Sequence, residues 1–331
     1  MKDRLGIALV GAGVIGRVHA ENLSADPSAR LVAVVDASPQ AAAAIAERFG
    51  VRAEHDLDAA LAIPEVDAVV IASPGPLHPE QVAAVARAGK AVFVEKPLAT
   101  SLEAANSAAD AVRNTGIPFQ IGFQRRHDPA YARARRIVTE TLGPPEFFRS
   151  LTRDPTPPPD HATLAAGAIV LDSMIHDIDA AHYFGGPIAE VYARPAKLVR
   201  PDAASPDWVD SLLVSFRYAH GGLGVLETSW RTIYGYDVRA EIFGAGGRIL
   251  LENESSTDLT FAAKLGVSHD YPKSFAERFR DAYRLELQAF VRAVVTGVKP
   301  TPGLDVALEA LVVAEAILDS IRTGANVKVG G

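Results

Sequence analysis

The chain has 331 residues, of which 48% are hydrophobic and 22% charged, and its formal net charge is −7 at pH 7. This length predicts two domains, and an acidic balance without a basic block argues against nucleic acid and anionic membranes as main partners. Cysteine is absent, which excludes disulfides, thiolate metal sites and thiol nucleophiles and favours a reducing, cytoplasmic location.

The N-terminal segment MKDRLGIALVGAG contains an apolar run that is too short for a signal peptide and passes directly into patterned sequence. No stretch of the chain approaches the roughly eighteen consecutive apolar residues that a membrane helix requires. We therefore expect a protein that is neither exported nor inserted into a membrane.

The first part of the chain is predicted to form a doubly wound α/β domain. Short apolar runs alternate with alanine-rich helical segments, one of which, PQAAAAIAERFG, ends at Gly50 as a helix stop. Runs that are apolar throughout are typical of parallel strands buried by helices on both faces. The predicted strands are LGIALV (5–10), LVAVVD (31–36), AVVIAS (68–73), AVFVEK (91–96) and FQIGF (119–123).

The segment VGAGVIG follows the first predicted strand and opens a helix, with glycine at Gly11, Gly13 and Gly16. Asp36 closes the second strand 20 residues beyond Gly16, which completes the dinucleotide-binding pattern that a lone GxGxxG match would leave weak. The glycines permit a tight turn, backbone approach to a pyrophosphate and close helix packing. Asp36 would accept hydrogen bonds from ribose hydroxyls and repel a 2′-phosphate, which favours NAD over NADP.

Further cofactor contacts are expected where later strands end, because ligands of open α/β sheets bind outside the carboxyl ends of the strands. Lys96 of AVFVEKP is at such an end and is either poised over the ligand crevice or a surface lysine beside a turn. His78 of SPGPLH begins or precedes a helix, which favours a capping role over a cofactor contact. The predicted cofactor-binding residues are Gly11, Gly13, Val14, Ile15, Gly16, Asp36, Ser73, Pro74, His78, Glu95, Lys96 and Gln124.

The second part of the chain is predicted to contain an antiparallel sheet, because longer runs alternate with turns such as HGG and GAGG. At its start, Arg125 and Arg126 either steer a polar substrate or are simply exposed. Helices are predicted over 274–296 and 304–323, with the C-terminal helix packing back on the first domain as an alternative. The predicted strands are 190–199, 210–218, 222–231, 236–244 and 247–253.

The segment LDSMIHDID (171–179) is predicted as a helix with two stripes, at about 100° per residue. Asp172, His176 and Asp179, spaced i, i+4, i+7, form a polar stripe that is either a solvated face or the lining of a site. A metal site is a third interpretation, and the lack of thiolates argues against it. The apolar stripe consists of Leu171, Met174, Ile175 and Ile178.

The motifs VGAGVIG, LH, VEKP, GFQRR and LDSMIHDID, in this order, resemble the glucose–fructose oxidoreductase, inositol dehydrogenase and rhizopine-catabolism (Gfo/Idh/MocA) family. The resemblance covers essentially the whole chain, and the ordered pair of EKP and DxxxH is specific to the family. SLTRDP (150–155) and YGYDVRAEIFG (234–244) are similar to inositol 2-dehydrogenases in particular. Thr152 departs from some relatives, which carry a histidine there, and this bears on the substrate more than on the chemistry.

The resemblance implies that residues 1–124 form an NAD-binding Rossmann domain with a doubly wound parallel sheet. It implies that residues 125–331 form a substrate-binding and oligomerisation α/β domain with a large open, mainly antiparallel sheet. That sheet has one face that needs a partner, so a homotetramer, or alternatively a homodimer, is expected through it.

The resemblance also implies an NAD-dependent oxidoreductase acting on a CH–OH group, with myo-inositol oxidised to 2-keto-myo-inositol (scyllo-inosose). The alternatives are another cyclitol or sugar, such as scyllo-inositol, glucose or a hexose derivative, and a non-catalytic NAD-binding regulator. Lys96, Asp172 and His176 match the family's catalytic residues, with no metal. The implied substrate-binding residues are Lys96, Arg126, Asp154, Asp172, His176, Asp179 and Tyr234.

Overall fold

The computed structural model divides into two compact units. The first contains the chain up to His127 together with Asp281–Glu309, and the second contains Asp128–Arg280 together with the chain from Ala310 on. The C-terminal helix, Leu304–Thr323, is therefore divided between the units. The structure describes residues 4–157, 167–203, 205, 208–253, 255, 257, 259–264 and 266–330.

The first unit is built on a parallel sheet of six strands within the described residues, in the order β3-β2-β1-β4-β5-β6. This arrangement confirms the predicted doubly wound fold, and β1, β4 and β5 are buried along their whole length. The strand β3 escaped prediction because three largely exposed residues carry no apolar pattern. The strands are β1 Leu5–Val10, β2 Ala29–Val35, β3 Arg52–Glu54, β4 Ala68–Ile71, β5 Ala91–Glu95 and β6 Phe119–Gly122.

Helices connect these strands, and several carry the expected end signals. Ser38, Asp56 and Ser101 each accept a hydrogen bond from a backbone N–H of the first turn of the helix that follows. Gly50 and Gly116 end two helices in the left-handed conformation. The helices are α1 Val14–Ala25, α2 Pro39–Phe49, α3 Leu57–Leu61, α4 His78–Arg87 and α5 Leu102–Thr115, with 3₁₀ turns at Gly75–Leu77 and Gln124–His127.

The second unit is built on a mixed sheet of seven strands within the described residues, in the order β12-β11-β7-β10-β9-β8-β15. β7 and β10 pair in parallel and every other neighbouring pair is antiparallel, so the sheet is mainly antiparallel as predicted. The strands are β7 Phe147–Arg153, β8 Ile188–Ala196, β9 Ser211–Tyr218, β10 Leu223–Ser229, β11 Asp237–Gly244 and β12 Gly247–Leu251, followed by the separate hairpin of β13 Thr260–Ala263 and β14 Gly266–His269, and by β15 Val327–Lys328.

The two faces of this sheet differ in burial. One face carries buried side chains such as Phe148, Val214 and Ile242 and packs on the core of the unit. The other face is open and carries large apolar side chains that are 41 to 53% exposed. The pairing register places these exposed residues on one face, and they are Phe147, Leu213, Leu223, Phe243 and Leu250.

The remaining helices are α6 Pro129–Ile137, α7 Ile175–Gly185, α8 Phe275–Arg278, α9 Arg280–Thr296 and α10 Leu304–Thr323. The single helix predicted over 274–296 is wrong, because Phe279 leaves helical geometry and separates α8 from α9. In the first unit, Phe290 of α9 packs on Phe93 of β5 with ring centroids 5.8 Å apart. Within the described residues, every helix falls short of the length and apolarity needed to cross a bilayer.

Candidate active site

The glycine loop after β1 has a shape that side chains would not allow. Gly11 has φ of +101°, and a Cβ there would lie 2.5 Å from the carbonyl oxygen of Ala72. A Cβ on Gly16 would lie 2.0 Å from the carbonyl oxygen of Gly11, so α1 packs against the loop only because that side chain is absent. The first and third glycines of VGAGVIG are thus required by the fold of the loop itself.

Gly13 is different, because the space beside it is open. Apart from Gly13 and its two chain neighbours, no atom of the described residues lies within 4 Å of the position where its Cβ would be. Gly13 is the N-cap of α1 and provides no side-chain hydrogen bond to the first turn, and Val14 is 67% exposed. The start of α1 therefore combines helix-terminal N–H groups with open space, which suits the pyrophosphate of a dinucleotide.

Asp36 follows β2 and joins the loop to the neighbouring strand end. One carboxylate oxygen accepts a hydrogen bond from the Ala12 N–H at 2.7 Å, and the other accepts one from the Ser38 N–H at 2.8 Å. The carboxylate is thereby fixed at the carboxyl edge of the sheet. A negative charge held there fits the ribose of NAD and disfavours a 2′-phosphate.

His78 connects two strand-end loops and does not cap a helix. The ring is 1% exposed, with Nδ1 2.7 Å from the carbonyl oxygen of Pro97 and Nε2 2.7 Å from that of Ser73. The capping role that the sequence favoured is wrong, since the start of α4 has no side-chain cap hydrogen bond. Burial lowers the pKa of His78. A neutral imidazole carries one N–H and can donate to only one of these two carbonyl oxygens, and the ring lies between the loop after β4 and the loop after β5.

Lys96 directly follows β5 and is partly buried, which disagrees with the alternative of an exposed surface lysine. Its backbone N–H donates to Oε2 of Glu95 at 3.3 Å, and the Lys96–Pro97 peptide is cis. Oε1 of Glu95 lies 2.7 Å from Nε2 of His19, a fully buried residue of α1. The strand end that carries Lys96 is therefore anchored to the helix that begins at the glycine loop.

The 3₁₀ turn after β6 contains Gln124, which is 2% exposed, and Arg125, which is 1% exposed. The interpretation of Arg125 as an exposed side chain is therefore wrong. Arg126 and His127 are partly buried. Burial, and then the charge of Arg126, lower the pKa of His127 to about 4, so His127 is neutral at physiological pH.

The polar stripe of LDSMIHDID lies on α7 and on the wide turn that precedes it. The regular helix predicted here is wrong at its start, because Val170–Met174 form a π turn before α7 begins at Ile175. Such single wide turns are frequent at functional sites. Asp172 is exposed, whereas His176 is 8% and Asp179 1% exposed. A solvated face is therefore wrong for His176 and Asp179.

Asp177 is a buried carboxylate that the stripe analysis missed. It is fully buried, one oxygen accepts a hydrogen bond from the Thr152 hydroxyl at 2.8 Å, and the other accepts one from the Ser150 hydroxyl. Ser150 and Thr152 occupy inward positions of β7, where apolar residues are usual. Two hydroxyls at such positions were the available signal for a buried polar partner. Asp177 thus locks α7 onto β7.

Asp154 lies next to the wide turn. Its Oδ2 accepts a hydrogen bond from the Ser173 hydroxyl at 3.0 Å, and Ser173 in turn accepts one from Nε1 of Trp230 at 2.9 Å. Both Ser173 and Trp230 are buried, and sequence reasoning named neither. This chain of hydrogen bonds holds the predicted substrate residue Asp154 against the turn that carries Asp172.

Tyr234 is 43% exposed and is engaged at its hydroxyl. The phenol donates to Oδ2 of Asp237 at 2.9 Å and accepts a hydrogen bond from Nη1 of Arg153 at 3.3 Å. These contacts group Tyr234 with the ends of β7 and β11. Its contact with a substrate stays a prediction.

Comparison with known protein families decides the affiliation. Residues 5–123 match the family model described as the oxidoreductase family, NAD-binding Rossmann fold (GFO_IDH_MocA), and residues 131–250 match the GFO/IDH/MocA C-terminal domain. The chain belongs to the GFO/IDH/MocA family. The resemblance read from the five motifs is thereby confirmed.

Named relatives within the GFO/IDH/MocA family are similar over nearly full length. The scyllo-inositol 2-dehydrogenase (NAD(+)) of Bacillus subtilis is 36% identical, covering 99% of this chain and 97% of that protein. The myo-inositol 2-dehydrogenase of Thermotoga maritima is 35% identical, covering 98% of each. The crystal structure of Lactobacillus casei scyllo-inositol dehydrogenase with bound NAD(H) and scyllo-inositol aligns with a TM-score of 0.93 and 27% identity, covering 99% of this chain and 100% of that one.

This GFO/IDH/MocA member is therefore an NAD-binding oxidoreductase, and its first unit is the Rossmann domain. The residues of the loop fit that cofactor, because Gly13 leaves the helix terminus open and Asp36 places a carboxylate at the end of β2. NAD is confirmed as the predicted cofactor.

Proposed function

We propose that this oxidoreductase oxidises a secondary hydroxyl of a cyclitol, converting myo-inositol to 2-keto-myo-inositol (scyllo-inosose). The observation that carries the proposal is the polar stripe of α7 and its wide turn. His176 and Asp179 are buried on this largely apolar helix, beside the exposed Asp172. Burying polar side chains is costly, which supports a chemical role for this imidazole and this carboxylate.

His176 is the general base in oxidation and the general acid in the reverse direction. A secondary hydroxyl is too weak an acid to ionise unaided, so its proton must leave as the C–H bond breaks. Imidazole has the unperturbed pKa nearest to working pH, which makes it the most effective side chain for this transfer. Bound NAD supplies the hydride acceptor.

Lys96 and Asp172 are proposed to assist the proton transfer. The ammonium of Lys96 donates a hydrogen bond to the reacting oxygen and stabilises the negative charge that develops on it. Asp172 precedes His176 by four residues and orients either the imidazole or a neighbouring substrate hydroxyl. The position of Lys96 at the end of β5, fixed through Glu95, supports this role.

A cyclitol presents a ring of hydroxyls, and several protein acceptors are needed to orient it. Carboxylates accept strong hydrogen bonds from hydroxyl groups, and we assign this role to Asp154 and Asp179. Arg126 and Tyr234 are proposed to donate to the remaining hydroxyls. The hydrogen bond that Ser173 donates to Asp154 supports a fixed direction for that carboxylate.

A second candidate substrate is scyllo-inositol, which differs from myo-inositol in configuration at one carbon. The similarity to the Bacillus subtilis enzyme named for this substrate favours it specifically. The two candidates share the base, the lysine and the cofactor. They differ in the orientation of the reacting hydroxyl, which is axial at C2 of myo-inositol and equatorial in scyllo-inositol.

The open sheet face of the second unit is proposed to assemble the chain into a homotetramer, or a homodimer. Phe147, Leu223 and Phe243 are cross-strand neighbours that expose apolar side chains on this face, as do Leu213 and Leu250, and contiguous exposed apolar surface marks an interaction site. Light scattering on the purified protein should give a mass of four or two chains. A monomer at micromolar concentration would contradict this assembly.

The function is tested by initial rates of NAD and NADP reduction with a panel of inositols, hexoses and hexose derivatives. The proposal expects the highest kcat/KM with NAD and an inositol, with myo-inositol ahead of scyllo-inositol. A reversed order of the two inositols selects the second candidate. Preference for a hexose, or no reduction with any polyol, would overturn the cyclitol assignment.

A further inference from the structure

A buried cluster of ionisable groups in the first unit contains Glu95 and two further residues that have no part in the mechanism above. His19 of α1 and Glu286 of α9 are 0% exposed, and Glu95 of β5 is 6% exposed. The imidazole nitrogen and one oxygen of each carboxyl group all lie within 4.8 Å of one another. Two carboxyl groups and an imidazole in one core are unusual enough to require an explanation.

The cluster is connected to Lys96 through Glu95. Oε1 of Glu95 lies 2.7 Å from Nε2 of His19, and Oε2 accepts the Lys96 backbone N–H at 3.3 Å. The His19 ring is enclosed edge-on by Phe93 and Tyr283, with centroids 5.4 and 6.1 Å away. Glu95 therefore has both oxygens committed, one towards α1 and one towards the strand end that carries the lysine.

Glu286 completes the cluster from α9. Its carbonyl oxygen accepts a hydrogen bond from the Gln120 amide at 3.1 Å, but both carboxyl oxygens lack a hydrogen-bond partner among the described residues. The titratable groups that face it are Glu95 from β5 and His19 from α1, and Gln120 faces it from β6 without titrating. The carboxyl group of Glu286 is therefore buried close to that of Glu95, and its own hydrogen-bonding capacity is unused among the described residues.

Ionising Glu286 would place a second negative charge beside Glu95 in an apolar core. Burial, and then the charge of Glu95, raise the pKa of Glu286 well above its ordinary value. This environment favours the protonated form of Glu286, which has one O–H to donate. Among the groups facing it, the carboxylate of Glu95 is the strongest acceptor.

We propose that Glu286 is a positioning residue: as a neutral acid it donates a hydrogen bond to Glu95, directly or through one buried water, and so fixes the strand end that presents Lys96. The carboxyl oxygens of Glu286 and Glu95 lie within 4.8 Å of each other, a separation that allows either a direct hydrogen bond or one bridging water. The inference rests on the proposed role of Lys96. It ties α9, which lies far along the chain, to the reacting end of β5.

Activity of three variants tests this inference. Glu286→Gln keeps a donor and an acceptor of similar shape, and its kcat should stay within about threefold of wild type. Glu286→Leu keeps the volume without the hydrogen bond, so we expect kcat to fall about 10–100-fold, because small displacements of a catalytic group have effects of that order. Asp281→Asn, on the exposed side of α9, is the matched control and should leave kcat unchanged.

The split of the kinetic constants separates positioning from general damage. For Glu286→Leu we expect the loss in kcat with an NADH dissociation constant within about twofold of wild type, since the glycine loop is intact. Full kcat in Glu286→Leu, or an equal loss in a folded Glu286→Gln, would overturn the inference. Stoichiometric divalent metal in the purified protein would also overturn it, because a cation at these three ligands requires both carboxyl groups to be ionised.

Thermal unfolding tests the proton on Glu286 even without a known substrate. The folded state holds this proton above the pH at which the unfolded chain releases it, near 4.3, so its contribution to stability is full below that pH and declines as pH rises. The melting temperature of Glu286→Gln relative to wild type should therefore rise by a few degrees between about pH 5 and about pH 8. A pH-independent difference contradicts a neutral Glu286, whereas absence of dehydrogenase activity with this shift intact refutes only the proposed function.

Discussion

The glycine loop (residues 11–16) and the α7 region (the π turn Val170–Met174 with the helix Ile175–Gly185) are stabilised by different means. The loop is defined by backbone: Gly11 and Gly16 fit because no side chain is present, and α1 begins without a side-chain cap. The α7 region is defined by side chains: Asp177 binds two hydroxyls of β7, and Ser173 links Trp230 to Asp154. The conformation of the glycine loop therefore depends on the absence of side chains at its glycines, whereas that of the α7 region depends on hydrogen bonds between polar side chains.

The largest effect is expected from the α7 region. His176→Ala removes the general base, and we expect kcat to fall about 10²–10⁴-fold with NADH affinity unchanged. His182→Ala, which removes another histidine of the same helix, is the control for altering α7 and should keep most of the activity. A His176→Ala enzyme with wild-type turnover would exclude the imidazole as base.

A smaller effect, on cofactor preference, is expected from changing Asp36, whose side chain binds the backbone of the glycine loop. Asp36→Asn can keep an oxygen for the Ala12 N–H but loses the charge that faces the ribose. We expect the preference for NAD over NADP, measured as a ratio of kcat/KM values, to fall about 10–100-fold, in line with hydrogen bonds to charged groups. Asp58→Ala, an exposed acid of α3, is the control. An unchanged ratio would mean that cofactor choice is made elsewhere.

The smallest effects are expected on stability, where substitutions at Gly16 and Gly13 should differ because only Gly16 is packed against other atoms. Gly16→Ala brings a methyl group against the Gly11 carbonyl, so the unfolding free energy should fall by about 1–3 kcal/mol. Gly13→Ala meets open space, so stability should change by only a few tenths of a kcal/mol while NAD affinity falls. Denaturant unfolding and NADH titration of both variants measure this contrast. Equal stability of the two variants would contradict it.

The sequence predicted the loop well because its determinants are neighbours in the chain. Glycine spacing, a strand before it and Asp36 after the next strand are local patterns with one structural solution. The strand β1 was predicted at its observed bounds for the same reason, since a run that is apolar throughout marks a strand buried on both faces.

The partners in the α7 region could not be predicted in the same way, because they come from distant parts of the chain. Asp177 falls between the two stripes, and its function depends on hydroxyls of β7 that pattern analysis assigned to no site. The π turn before α7 could not be predicted either, because the hydrophobic periodicity of its sequence is the same as that of a regular helix. Glu286 was missed because its helix reads as amphipathic and only the fold brings it to Glu95.

The proposed reaction transfers the hydride from C2 of myo-inositol to NAD. The most direct test is to incubate the enzyme with NAD and myo-inositol deuterated at C2, and to analyse the NADH by mass spectrometry. The account predicts one deuterium in the nicotinamide ring for each ketone formed. NADH without deuterium, or no NADH at all, would contradict it.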